Sequence, residues 1–159
     1  MANQHQYTIT TTWTGNQGTG TSGYRNYKRD IDVSAAGKPQ VIAASADPNY
    51  RGDAARYNPE ELLLSALSAC HMLWMLHLCA DAGIVVTDYV DDAVGTVKVN
   101  PDYSGEFTEV VLRPRITIAD ASRVADAVAL NAKAHAVCFI ARSVNFPVSH
   151  EPTVVAANI

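Results

Sequence analysis

The chain has 159 residues and a mass of 17.1 kDa, which predicts one domain, residues 1–159, with a core of its own. Hydrophobic residues make up 48% and charged residues 18%, a composition that excludes an intrinsically disordered chain. The net charge is −4 and the 12 Lys and Arg residues are scattered along the chain. A nucleic-acid binder has a basic stripe, so nucleic acid is excluded as the main partner.

The richest apolar stretch, residues 62–80, is interrupted by two serines and two histidines. A membrane-spanning helix needs about 20 mostly apolar residues, so we expect no membrane segment. Residues 1–6 have neither a basic start nor an apolar run, and we therefore expect a cytoplasmic protein without a secretory signal. In a reducing compartment, three cysteines indicate catalysis, redox sensing or core filling instead of a disulfide framework.

The first third of the chain has the pattern of strands and loops. Tyr7, Ile9 and Trp13 alternate with threonines, which predicts a strand over residues 7–14. After a glycine-rich turn we predict a second strand over 24–33, a hairpin into a third over 40–44, and a polar loop over 45–57.

The next element is a long helix with clear end signals. Asn58 is a good N-cap, Pro59 suits the first helical position, and Glu60 and Glu61 favour the positive end of the helix dipole. Gly83 is a natural C-cap, so the helix has about 24 residues and a length of about 36 Å. It is apolar on nearly all sides, which predicts burial on most faces and contact with a second subunit.

The remaining chain predicts strands near 85–99 and 106–118, a second helix capped by Asp120 and ending near Cys138, and a final strand near 146–155. The final strand contains two prolines, which argues for a sheet edge. The predicted fold is α+β, with antiparallel strands, a long buried central helix and a flanking second helix.

The three cysteines lie in different helical positions. Cys70 is in the middle of the first helix, Cys79 is near its end, and Cys138 is at the end of the second helix. Nine residues make two and a half turns, so Cys70 and Cys79 face opposite sides and share no site within one chain. We expect Cys79 to be a small core residue.

Two motifs in the chain resemble the signature of the OsmC/Ohr family. The first is Asn-Pro-Glu-Glu-Leu at 58–62, followed by a small-residue helix that reaches Ser-Ala-Cys at 68–70. The second is Ala-His-Ala-Val-Cys at 134–138. The resemblance covers nearly the whole chain and implies an OsmC-like fold in an intertwined homodimer. It also implies a cysteine-based peroxidase that prefers organic hydroperoxides to hydrogen peroxide.

The resemblance assigns roles to two of the cysteines. Cys70 would attack the peroxide as a thiolate, release an alcohol and become a sulfenic acid. Cys138 would condense with it to a disulfide, which a dithiol reductant, in the family often a lipoylated protein, would then reduce. The resemblance implies no cofactor and no metal.

The family's Arg and Glu pair is carried over in part. The glutamate matches Glu60, which lies about 15 Å from Cys70 along one helix, so we expect it to serve the Cys70 of a partner subunit. Three residues are candidates for the family's arginine. Arg51 matches the loop arginine of the OsmC branch, Arg25 has the position used in the Ohr branch, and Arg56 is closer to the motif.

The chain departs from the family pattern at two positions. Phe139 follows Cys138 where the family commonly has proline, and His71 follows Cys70 where it commonly has an aromatic residue. Consecutive helical residues point about 100° apart, so we expect His71 to face a different neighbour from Cys70.

The sequence also bears on three other functions. One is a metal site, for which the candidate ligands are Cys70, His71, His77, His135 and Cys138, although only His135 and Cys138 are closely spaced. Another is a non-catalytic role, with a hydrophobic ligand in the apolar cleft between subunits. A serine hydrolase is disfavoured because no Gly-x-Ser-x-Gly motif is present.

Overall fold

The computed structural model describes residues 4–157 and divides the chain into two compact units, Met1–Leu62 and Leu63–Ile159. The assignment of residues 1–159 to one domain stays a prediction. The interpretation of residues 1–6 as lacking a signal falls in part on residues 1–3, outside the described residues.

The first unit contains a small antiparallel sheet. Its strands, in spatial order, are β1 (Thr10–Trp13), β2 (Ile31–Ser34) and β3 (Ile42–Ala44). Trp13 pairs with Ile31, and Ile31 pairs with Ala44. The predicted loop over 45–57 holds one short 3-10 helix, Pro48–Tyr50, and no strand.

The predicted second strand, 24–33, is wrong over its first seven residues, since β2 begins at Ile31. The cause is a local cluster around Arg29. Its guanidinium lies 4.4 Å from the ring centroid of Tyr24 and 4.1 Å from that of Tyr27. It also donates hydrogen bonds to the carbonyls of both tyrosines, at 2.7 Å each. These contacts hold the backbone in turns and compete with strand pairing.

The first helix, α1 (Pro59–Asp81), has the predicted ends. The Asn58 side chain accepts a bond from the Glu61 backbone N–H at 2.8 Å, and the Glu61 carboxylate accepts one from the Asn58 N–H at 2.9 Å. This is a reciprocal capping box. Gly83 has φ 69°, the left-handed conformation of a helix C-cap, which glycine adopts without steric cost.

Within one chain, α1 is buried along one face, and the burial of its other faces against a second subunit stays a prediction. The buried side chains follow helical spacing: Leu67, His71, Met75, Leu78 and Cys79. Leu73 on another face is 65% exposed. A large apolar side chain left exposed on a core helix is what a subunit interface requires.

The second unit holds two three-stranded sheets and α2 (Val124–Val137). One sheet has the order β4 (Val86–Asp91), β7 (Pro114–Ile118) and β9 (Thr153–Ala156). The other has the order β5 (Val94–Val99), β6 (Gly105–Leu112) and β8 (Val148–His150). A 3-10 turn capped by Asp120 precedes α2, so the helix begins later than predicted.

Each of the three long strands predicted after α1 is two strands in the structure. The segment 85–99 divides into β4 and β5, 106–118 into β6 and β7, and 146–155 into β8 and β9. The last two strands occupy sheet edges, as their prolines indicated, but pair in parallel with β6 and β7. The sheets are therefore mixed, with two parallel pairs beside the predicted antiparallel ones, and the predicted α+β fold is confirmed.

The core of the second unit has two apolar clusters. One joins the end of α1 to β7 and α2, with buried Met75, Cys79, Ile116 and Ala127 among its members. The other joins Leu67 to Val110 and Leu112 on β6. The two clusters pack α1 against one strand of each sheet, and this packing determines which faces of the helix stay exposed.

By length and mean hydropathy alone, two segments could cross a membrane, Pro59–Asp81 and Ala121–Ser143. The expectation that no stretch would be long and apolar enough is therefore corrected. The core helix of a soluble protein meets the same criterion, and α1 supplies five buried side chains to the core.

Candidate active site

Cys70 lies on the wall of an apolar pocket of about 390 Å³. The pocket is lined by Cys70, Leu73, Trp74 and His77 of α1 and by Phe139, which follows α2. The α1 residues have the spacing i, i+3, i+4 and i+7 and therefore form one face of the helix. Cys70 is half-buried, so its sulfur borders a space that a small apolar molecule could occupy.

Aromatic contacts shape this pocket. The Trp74 and Phe139 rings meet edge to face, with 5.9 Å between their centroids and 75° between their planes. Trp74 makes a second edge contact with His77 at 5.6 Å. Phe139 is 65% exposed, so Trp74 is the neighbour that positions it over the pocket.

Cys138 is buried at the C-terminal end of α2, at the residue where the backbone leaves the helical conformation. Its sulfur accepts a hydrogen bond from the Ala141 backbone N–H at 3.5 Å, and its carbonyl accepts one from Arg142 N–H at 3.1 Å. The short 3-10 helix Ala141–Ser143 thus holds the cysteine in place.

The structure brings the two predicted catalytic cysteines together. Burial, the larger cause, and the adjacent Cys70 side chain together raise the pKa of Cys138 to about 11. At neutral pH Cys138 is therefore a protonated thiol beside Cys70.

The third cysteine is separate from this pair. Cys79 is buried in the apolar cluster at the end of α1, as predicted from its helical position. Burial raises the pKa of the Cys79 thiol, which makes it less reactive.

Three histidine rings from three different elements form a cluster. The ring of His150 on β8 lies 5.6 Å from that of His71 on α1 and 5.4 Å from that of His135 on α2. His71 Nε2 is 3.3 Å from Asn131 Oδ1. His71 thus faces a different neighbour from Cys70, as the helical geometry predicted. Burial lowers the pKa of His71 and of His150, and the neighbouring histidines lower it further.

The predicted arginines lie in the first unit and differ in their surroundings. Arg51 is exposed and has φ 68°, a left-handed conformation rare for a residue other than glycine. The next residue is Gly52, where a Cβ atom would lie 1.5 Å from the Ala46 carbonyl oxygen. Arg25 is exposed in a turn, whereas Arg56 forms an ion pair with Asp32 at 3.5 Å.

Glu60 is exposed in the first turn of α1, also in the first unit. The carboxylate of its neighbour Glu61 caps the helix, whereas that of Glu60 takes no part in the capping box. Within residues 4–157, the side chain of Glu60 has no hydrogen bond or ion pair.

Within the described part of the chain, no group of three or more His, Cys, Asp or Glu side chains is arranged to hold a metal ion. The five candidate ligands considered above are thus divided between the pocket, the cysteine pair and the histidine cluster. His77, for example, lines the pocket and lies 3.8 Å from the Asp81 carboxylate.

Sequence reasoning missed two residues that the structure places in this region, Asn131 and His150. Asn131 is a buried polar residue on the core face of α2, and its amide donates to the Ala127 carbonyl at 3.1 Å. A polar residue at a core position of a helix was the available signal. His150 had no signal, because its partners are far away in sequence.

The chain was compared with known families and proteins. The model of the OsmC-like protein family matches residues 52–153. A solved OsmC-like protein of unknown function from Vibrio cholerae O1 biovar eltor is 30% identical, with a TM-score of 0.84, and the match covers 94% of this chain and all (100%) of that one. No curated protein matches the chain.

Two further solved structures share the fold. An organic hydroperoxide resistance protein from Legionella pneumophila is 20% identical, with a TM-score of 0.65, and the match covers 95% of this chain and 98% of that one. One from Elizabethkingia anophelis is also 20% identical, with a TM-score of 0.64 and coverage of 98% and 100%. The family match and the 30% identical relative together establish that the chain belongs to the OsmC-like protein family.

Proposed function

We propose that the chain is a thiol peroxidase that reduces organic hydroperoxides, with Cys70 as nucleophile and Cys138 as resolving cysteine. The observation that carries this proposal is the pairing of a half-buried thiol on a pocket wall with a buried thiol adjacent to it. Two solved family members of the same fold are described as organic hydroperoxide resistance proteins, which supports it.

The reaction has three balanced steps. The Cys70 thiolate attacks the terminal peroxide oxygen, the O–O bond breaks, and the departing alkoxide takes up a proton to give the alcohol. Cys70 is oxidised to a sulfenic acid. Cys138 then forms the S–S bond with Cys70 and water leaves. An external dithiol reduces the disulfide and is itself oxidised.

The environment of Cys138 suits it to the second step. Its raised pKa of about 11 keeps it protonated and unreactive towards peroxide in bulk solution. The hydrogen bond that its sulfur accepts from the Ala141 backbone N–H, together with its contact with Cys70, holds Cys138 in place for the attack. Proximity of this kind replaces a bimolecular encounter with an intramolecular step.

The pocket supports an apolar substrate. Leu73, Trp74 and Phe139 supply most of its lining, and such a surface favours an alkyl or aryl group over water. We therefore propose a higher kcat/KM for tert-butyl hydroperoxide than for hydrogen peroxide.

We further propose a homodimer in which Glu60 and an arginine of one subunit complete the site of the other. The exposed apolar residues Leu73 and Leu76 on α1 support an interface along this helix. Among the arginines, Arg51 is the one we propose for this role, because its left-handed backbone conformation is strained and such strain concentrates at functional sites. Its guanidinium would stabilise the Cys70 thiolate.

The test is to add one equivalent of tert-butyl hydroperoxide to the reduced protein and to map its peptides by mass spectrometry without reductant. We expect a rapid Cys70–Cys138 disulfide with Cys79 still free. Cys79→Ala is the matched control, because it removes a thiol outside the pair and should leave disulfide formation intact. Cys70→Ser should abolish disulfide formation.

The outcomes separate the alternatives. Oxidation that stops at a Cys70 sulfenic or sulfinic acid would retain the peroxidatic step and exclude Cys138 as resolving cysteine. No change at either cysteine would contradict the peroxidase and favour a pocket that only binds a hydrophobic ligand. A ligand-binding assay with a fluorescent apolar probe on Cys70→Ser would then measure that function.

A further inference from the structure

Three histidine rings from three different elements form a continuous stack, which we name the histidine column: His71, His150 and His135. His150 is the central ring, tilted by 40° from His71 and by 21° from His135. The column therefore joins α1, β8 and α2 through side chains alone.

The column is directly connected to the proposed catalytic pair. His71 is the residue after Cys70 on α1, and His135 lies one turn before Cys138 at the end of α2. The Cys138 backbone N–H also donates to the His135 carbonyl at 3.3 Å. Any change in the distance between His71 and His135 thus changes the distance between the two cysteine-bearing segments.

The column is built for uncharged rings. The Nδ1 atoms of His71 and His135 are buried, and neither has a hydrogen-bond partner among the described residues. His71 itself is fully buried. A second proton on either ring would place a charge and an unsatisfied donor beside another imidazole, at a buried nitrogen.

Few groups around the column can compensate such a charge. Asp91 at the end of β4 is the carboxylate whose charge acts on His71, and it already accepts bonds from the Ser68 hydroxyl at 2.6 Å and the Arg113 N–H at 2.7 Å. From α2, Asn131 offers a neutral amide. Next to His150, Glu151 is exposed and paired with Arg113 at 3.0 Å.

We propose that the histidine column positions Cys70 and Cys138 for disulfide formation only while its rings are neutral, so that protonation separates the two thiols. The column acts through the helices and touches neither sulfur in this role. The inference rests on the proposed function, since it concerns the second step of that reaction. The lowered pKa values of His71 and His150 agree with rings that resist protonation.

The experiment measures the rate of Cys70–Cys138 disulfide formation at about pH 8, above the usual histidine pKa, and at about pH 4.5, well below it because the pKa values of His71 and His150 are lowered. Two oxidants are used in parallel: tert-butyl hydroperoxide, and diamide, which joins neighbouring thiols without peroxidase chemistry. The variants are His150→Phe, which keeps an aromatic ring but no charge, and His150→Ala, which removes the link. His5→Gln is the control, because His5 is exposed and outside the column.

We expect wild type and His150→Phe to react at similar rates at the higher pH. At the lower pH the Phe variant should be faster by about tenfold, because it has no charge at the centre of the column. The lower fraction of thiolate at low pH slows both proteins equally, so the ratio of their rates reports the effect of the histidine charge alone. His150→Ala should be slower than wild type at both pH values, and His5→Gln should match wild type.

A ratio between wild type and His150→Phe that is the same at both pH values would overturn the proposal, as would wild-type rates in a folded His150→Ala. If the Phe variant does not fold, His150→Gln replaces it. The expected ratio with diamide and no reaction with hydroperoxide would support the column and contradict the peroxidase. A disulfide that forms with hydroperoxide at an unchanged ratio would do the reverse.

Discussion

Cys138 lies next to Cys70, and burial together with this contact raises the pKa of the Cys138 thiol to about 11. The two cysteines are 68 positions apart in the sequence and come from the middle of one helix and the end of another. In the proposed reaction, a thiol in this position stays protonated and close until the other sulfur is oxidised.

The contact predicts a separation of the two steps in Cys138→Ser. We expect this variant to consume about one equivalent of hydroperoxide per Cys70 and then to stop, because no thiol is available to resolve the sulfenic acid. Stopped-flow peroxide consumption combined with dimedone trapping measures both quantities. Continued turnover of Cys138→Ser at the wild-type rate would show that Cys70 is resolved by another thiol.

The aromatic wall of the pocket predicts substrate selectivity. In Phe139→Ala, Trp74 loses one of its two edge-to-face contacts, and the pocket opens beside Cys70. We expect the ratio of kcat/KM for cumene hydroperoxide to that for hydrogen peroxide to fall about tenfold, because an apolar contact with the substrate is lost. Phe139→Leu, which keeps an apolar side chain, is the control. An unchanged ratio in Phe139→Ala would exclude this residue from substrate selection.

The first turn of α1 offers a matched pair of carboxylates. Glu61→Ala breaks the capping box and should lower the free energy of unfolding by about 1 kcal/mol, without loss of activity in the folded protein. Glu60→Ala should leave stability nearly unchanged and reduce hydroperoxide turnover, because its carboxylate is proposed to serve the partner's site. Urea denaturation and steady-state kinetics on both variants provide the check. Full activity in Glu60→Ala would contradict the shared site.

The buried histidines predict an acid-side loss of stability. The pKa values of His71 and His150 are lowered in the folded protein, so below the usual value of 6.5 the unfolded chain binds more protons than the folded one. The free energy of unfolding should be highest above that value and decrease as the pH falls from it towards the lowered folded pKa values. Urea titrations of the reduced protein across this range measure the slope, and His71→Gln should make it shallower. A flat profile in wild type would show that these rings are solvated.

The ends of α1 were predictable because local chemistry determines them. Asn58, Pro59 and Gly83 each act through the backbone next to them, and the structure places the helix between them. The strand breaks were not predictable in this way. The segment 106–118 divides near Arg113, whose backbone N–H is bonded to the carboxylate of Asp91 on β4, a contact 22 residues away in sequence.

The site shows the same division. The positions of Cys70 and Cys138 on their helices followed from helical signals, and the resemblance to a family supplied the expectation that they meet. The histidine column could not be predicted, because His71, His135 and His150 meet only after two helices and a sheet have packed. The order of residues carries no periodic signal for such a cluster.

The edge contact between Trp74 and Phe139 has a practical consequence. The chain has two tryptophans, and the other, Trp13, belongs to the first unit, where its indole N–H donates to the Lys28 carbonyl. Phe139 is covalently attached to Cys138, so a sulfur that moves to close the disulfide displaces the ring packed on Trp74. We therefore expect Trp74 emission to report the thiol–disulfide state, so that the proposed reaction can be followed in real time without a dye.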